Sequence, residues 1–82
     1  MYVSYDPDAR ATYVEWEAGP IARTVEVSDL MMVDVDEDGR PLGVEVLTLP
    51  NRVTQAMVDL LVERFPDLKK LRDMERWTLT PA

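Results

Sequence analysis

The chain has 82 residues, 46% of them apolar and 30% charged, with a formal net charge of −7, which fits one ordinary globular domain. It holds no cysteine and no histidine, which removes disulfides, thiolate nucleophiles, Ser-His relays and thiolate or imidazole metal sites. The longest apolar run, Leu30–Val33, is too short for a transmembrane helix or the apolar core of a signal peptide, so a cytoplasmic location without membrane contact is expected.

In chain order the first fifty residues read as short strands parted by turn signals. Met1–Tyr5 is aromatic-rich and is broken by Asp6-Pro7-Asp8. Ala11–Glu17 contains the strand formers Thr12, Tyr13, Val14 and Trp16 and closes at Gly19-Pro20. Ile21–Val27 alternates and meets a turn at Ser28-Asp29. Leu30–Asp36 and Leu42–Leu49 flank Asp38-Gly39, the strongest hairpin signal in the chain. Such short connections make sequential strands antiparallel.

A two-residue Asp38-Gly39 loop pairs Val35 with Leu42, Val33 with Val44 and Met31 with Val46. All six are apolar, so one face of this hairpin is expected to be core. Asp34, Asp36 and Glu45 fall on the opposite, wet face. A four-residue loop, Glu37–Arg40, keeps the same pairing. The preceding hairpin is less regular: a two-residue loop puts Val25 on the wrong face, a three-residue loop takes Leu30 into the turn, and a bulge is the expected compromise.

After Pro50 the period becomes helical. Thr54 is a candidate N-cap, and Val53, Met57, Leu60 and Leu61 recur at helical spacing, widened by Val58, Val62 and Phe65. Pro66 stops or restarts the helix. Leu68, Leu71 and Met74 then predict a second short helix ending near Trp77, with residues 78–82 as a tail. The expected fold is therefore α+β in a single domain over residues 1–82. A small antiparallel β-meander of four or five strands fills residues 1–49, followed by a helical segment over 50–77.

Charge is uneven along the chain. Residues 1–50 hold 11 acids and 3 bases, whereas residues 51–82 hold 5 acids and 6 bases. The acidic half repels phosphate backbones, so no nucleic-acid partner is expected, while a basic protein partner suits it. Lys69, Lys70, Arg72 and Arg76 are diluted by Asp67, Asp73 and Glu75 and read as a helix surface.

Asp34, Asp36, Asp38, Gly39 and Glu45 match the spacing of a calcium loop, in which alternating carboxylates and a final bidentate Glu wrap the ion. The flanks argue against it. They are β-branched and alternating rather than helical, and Pro41 sits where that loop needs a backbone donor. These four acids are low-ranked metal candidates, and no cofactor is expected. Carboxylate pairs such as Asp6/Asp8, Glu15/Glu17 and Asp34/Asp36 fall on wet strand faces, and Ser4 and Ser28 have no histidine to activate them. Tyr2, Tyr5, Tyr13 and Trp16 fit a core or interface role better than base stacking, because their neighbours are acidic.

Five ordered motifs carry a family resemblance. They are Tyr5-Asp6-Pro7, Thr12-Tyr13-Val14, Ala22–Val27, Val33–Arg40 and Gly43–Leu47. Over residues 1–49 the chain resembles the domain-of-unknown-function family 2283, a set of small prokaryotic proteins. The resemblance implies no activity and no catalytic residue. Members are sometimes encoded beside small toxin-like genes, which implies an antitoxin-like, partner-binding role by association.

The reading that results is a non-catalytic protein-interaction module rather than an enzyme. A weak divalent-metal protein using the 34–45 hairpin ranks second, and a carboxylate-based enzyme ranks last. A helix apolar over so much of its circumference is expected to be covered on a second side. A homodimer through Met57, Val58, Leu61, Val62 and Phe65 is the expected cover, with residues 67–77 folding back as the alternative.

Overall fold

A computed structural model describes residues 2–49 and 52–73. Five strands, β1 (Tyr2–Asp6), β2 (Ala11–Glu15), β3 (Arg23–Ser28), β4 (Met31–Val35) and β5 (Pro41–Val46), precede a helix α1 (Gln55–Arg64) and a 3-10 turn over Pro66–Asp73. All strand pairings are antiparallel, so the α+β architecture is the one the sequence predicts. The expected end of the second helix near Trp77 and the 78–82 tail lie outside the described residues.

Strand order is where the fold departs from a meander. The sheet runs β1-β2-β5-β4-β3, so β3 lies at the far edge and β5 returns beside β2. Three strand spacings separate β2 from β3, about 14 Å. The seven connecting residues, 16–22, reach roughly 23 Å when extended, ample for the crossing. Trp16 and Glu17 donate their backbone N–H to the Leu42 carbonyl, and Ala22 donates to that of Val35. The connection is thus laced across the ends of β5 and β4.

That crossing coincides with a bulge. The β4–β5 turn holds three residues, Glu37–Gly39, closed by Asp36 N–H to Arg40 C=O and Gly39 N–H to Asp36 C=O. Gly39 has φ +84°, the left-handed position such a loop requires. An odd loop shifts the pairing by one, so Val35 faces Pro41 and not Leu42. A bulge at Leu42 then restores Met31 opposite Val46 and Val33 opposite Val44, as the apolar pattern predicts. Leu42 is buried, but it lies apart from the core formed with the helix and packs beside Gly19 of the crossing segment. In the β3–β4 hairpin both expected features occur together. Asp29 and Leu30 form the turn, and the register shifts between Glu26 and Ser28, leaving Val25 opposite Val33.

One face of the sheet supplies Val14, Met31, Val33, Val35, Val44 and Val46 to the core. Val53, Val58, Leu61, Val62, Leu68 and Leu71 cover them from the C-terminal segment. Thr54 caps α1, its hydroxyl accepting from the Met57 N–H at 3.2 Å. After Phe65 the chain turns at Pro66 and folds back on α1, where Arg72 and Asp59 form a half-exposed ion pair at 3.2 Å.

Candidate functional site

Alternation along the strands puts Tyr13 and Glu15 of β2, Glu45 of β5, Met32 and Asp34 of β4 and Thr24 and Glu26 of β3 on the face opposite α1. Tyr2, Ser4 and Asp6 of β1 join them. Five carboxylates share this face, and no lysine or arginine of the five strands does. The crossing segment lies over the corner at Leu42, where Tyr13, Glu15, Ala18, Gly19 and Ile21 line a shallow cleft of about 220 Å³.

The centre of the face is organised by one aromatic ring. Tyr13 lies across Gly43, and a Cβ built on that glycine would overlap the phenol oxygen and Cζ. The ring thereby bridges β5, and its hydroxyl donates to Asp34 Oδ2 on β4 at 2.8 Å. The Thr24 hydroxyl on β3 donates to Asp34 Oδ1 at 2.6 Å. A chain of side chains thus ties β2, β4 and β3 together over a glycine. Burial, the bond to Asp34 and the charges of Asp34, Glu15 and Glu45 push the Tyr13 phenol up to about 12. Tyr13 is therefore a neutral donor near neutral pH, not a base, and both Asp34 oxygens already accept a hydrogen bond.

The four calcium-loop candidates are drawn to different places. Asp34 faces Tyr13 and Thr24. Asp36 closes the turn, its Oδ1 accepting from the N–H groups of Asp38 and Arg40 at 2.9 Å each. Asp38 is exposed in the loop, and Glu45 pairs with Tyr13 on β2 and Met32 on β4. Among the described residues, no three Asp or Glu gather as a metal-holding group. Asp34, Asp36 and Glu45 are half-buried rather than fully wet.

The helical interface candidates are placed inward. Val58, Leu61 and Val62 are buried in the chain's own core, and Met57 and Phe65 are half-buried against it. The second side of α1 is covered by the returning segment through Leu68 and Leu71, the alternative to a helix-mediated contact. Leu60 is the exposed large apolar residue of α1.

Pattern reading overlooked the Tyr13–Gly43–Asp34–Thr24 assembly. Its signal was Gly43, a lone glycine inside a strand, which marks a bulge or a close approach by another group. Here it marks both.

No helix among the described residues is long and apolar enough to cross a membrane. A family model described as "Protein of unknown function (DUF2283)" matches residues 2–49, which hold all five strands and none of the helical segment. Neither the curated proteins nor the solved structures contain a match.

Proposed function

The chain belongs to the DUF2283 family, and we propose that this member is a non-catalytic interaction module that presents the sheet face opposite α1 to a basic protein partner. The observation that carries the reading is the composition of that face. It is a single-signed surface of Asp6, Glu15, Glu26, Asp34 and Glu45 around the half-buried side chains of Tyr13 and Met32. An aromatic and a methionine inside a rim of one charge sign suit a contact surface that steers a partner of opposite sign and then excludes water. Rigidity supports the same reading, because the Tyr13–Asp34–Thr24 bonds fix the centre before any partner arrives. An antitoxin that covers a basic toxin surface is the specific form of this role that the family association implies.

The test is calorimetric titration with an arginine-rich peptide at low salt. Glu15→Arg with Glu45→Arg should weaken binding about tenfold or more. Reversing the same amount of charge away from the face, with Glu63→Arg on α1 and Asp67→Arg in the 3-10 segment, should change it far less. Equal losses from both would show attraction to net charge alone and would remove the face from the proposal.

A further inference from the structure

The two edges of the sheet are unequally protected. At the β3 edge the register is broken by a bulge between Glu26 and Ser28, and the strand carries Arg23 and Glu26, devices that discourage pairing. The β1 edge carries only one of these, the charge of Asp6 at its end. Residues 2–5, Tyr-Val-Ser-Tyr, hold no charge, no proline and no bulge, and Tyr2 and Tyr5 remain 66% and 42% exposed. Among the described residues nothing pairs with its outer side.

The direction of its free hydrogen-bonding groups follows from the neighbouring strands. Trp16 N–H donates to Leu42 C=O at 2.7 Å, so Trp16, Val14 and Thr12 bond toward β5. Glu15, Tyr13 and Ala11 then bond toward β1, where their partners are Tyr2, Ser4 and Asp6. The N–H and C=O groups of Val3 and Tyr5 are left pointing outward.

We infer that β1 is a self-association edge: two copies of this chain pair antiparallel through β1, centred on Ser4, to make one continuous ten-stranded sheet. Centring on Ser4 is the two-fold register that uses all five residues. It places Val3 opposite the second copy's Tyr5, and the four outward donors and acceptors of each strand meet their complements. On the α1 side this makes an aromatic–β-branched pair on each flank of the axis, a favourable cross-strand combination. On the other side Tyr2 meets Asp6, a phenol beside a carboxylate, and the small Ser4 meets itself. No acid stands opposite an acid, which matters for a chain of net charge −7. Each contact is its own mirror, so the assembly closes at two. The inference does not depend on what the acidic face binds.

The absence of cysteine makes a clean test. In this register the two Ser4 residues form a non-hydrogen-bonded pair with Cα atoms about 4.5 Å apart, within the range a disulfide accepts. Under mild oxidation Ser4→Cys should cross-link into dimer at least about tenfold faster than Glu26→Cys on the opposite edge. Light scattering at about 100 µM should show wild-type dimer, tightening as added salt screens the like net charges. Ser4→Lys, which sets two cations face to face at the axis, should be monomeric there with an unchanged circular dichroism spectrum. Equal cross-linking of the two cysteine variants would overturn the inference. So would a wild type as monomeric as Ser4→Lys, the result expected if residues 74–82 of the same chain cover this edge.

Discussion

Beneath α1 the sheet presents Val14, Val33, Val44 and Val46, each fully buried and apolar. Its other face holds itself together with a tyrosine, an aspartate and a threonine linked by hydrogen bonds of 2.8 and 2.6 Å. The first face is stabilised by area removed from water, which is non-directional and tolerant of small shifts. The second depends on geometry, because a half-buried carboxylate without partners is costly. The two faces should accordingly fail differently when mutated.

The largest loss is expected under the helix. Leu61 is fully buried between the sheet and the returning 3-10 segment. Leu61→Ala should destabilise by about 2–5 kcal/mol, the sum of lost transfer energy and a residual cavity. Its neighbour Leu60 is 37% exposed, so Leu60→Ala should cost roughly 1 kcal/mol or less. Denaturant unfolding of the two variants sets the contrast. Similar costs would mean that α1 does not cover the sheet in this orientation.

The same division explains what could be read from residue order. The covered face was legible because valines at every second position announce a strand and its buried side. The N-cap at Thr54 and the break at Pro66 were equally local. Strand order was not local: nothing in residues 16–22 states that they cross two strands rather than turn back. The bulge at Leu42 was hidden for a related reason. Both an even loop with a regular ladder and an odd loop with a bulge bring Val33 opposite Val44, and alternation alone does not separate them. The open face was legible only as "polar". That Asp34 serves Tyr13 and Thr24 requires knowing that β2 and β4 flank β5, information the strand pattern does not contain.

A medium effect is expected from one methyl group on the open face. Gly43→Ala puts a Cβ where the Tyr13 phenol lies, so the ring must leave and its bond to Asp34 must break. A cost of about 1–3 kcal/mol follows from the forced rearrangement. The titration of Tyr13 reports the same event. Its pKa is about 12 in the folded chain against a usual 10.0, so the fold binds this proton more tightly than the unfolded chain does. The associated stabilisation is complete below pH 10 and is lost as pH rises toward 12. Phenolate absorbance should show one late-ionising tyrosine in the wild type, absent in Tyr13→Phe and shifted to lower pH in Gly43→Ala. A late phase that survives Tyr13→Phe would assign the raised pKa to another residue.

The smallest effect should come from the residue that most resembles a metal ligand. Asp36 Oδ1 accepts from two backbone donors, Asp38 N and Arg40 N, and so shapes the three-residue turn. An asparagine keeps an Oδ1 in the same place and can accept both bonds. It also removes one negative charge from a stretch that includes Asp34, Glu37 and Asp38. The weaker acceptor and the relieved repulsion act in opposite directions, so Asp36→Asn should lie within about 0.5 kcal/mol of wild type. Asp36→Ala loses the acceptor altogether and leaves the turn donors to water, at a cost of about 1 kcal/mol. Thermal unfolding of the pair separates acceptor from charge. If asparagine proved as damaging as alanine, the charge of Asp36 rather than its oxygen would be what the turn requires, and the calcium-like spacing of this hairpin would have to be weighed again.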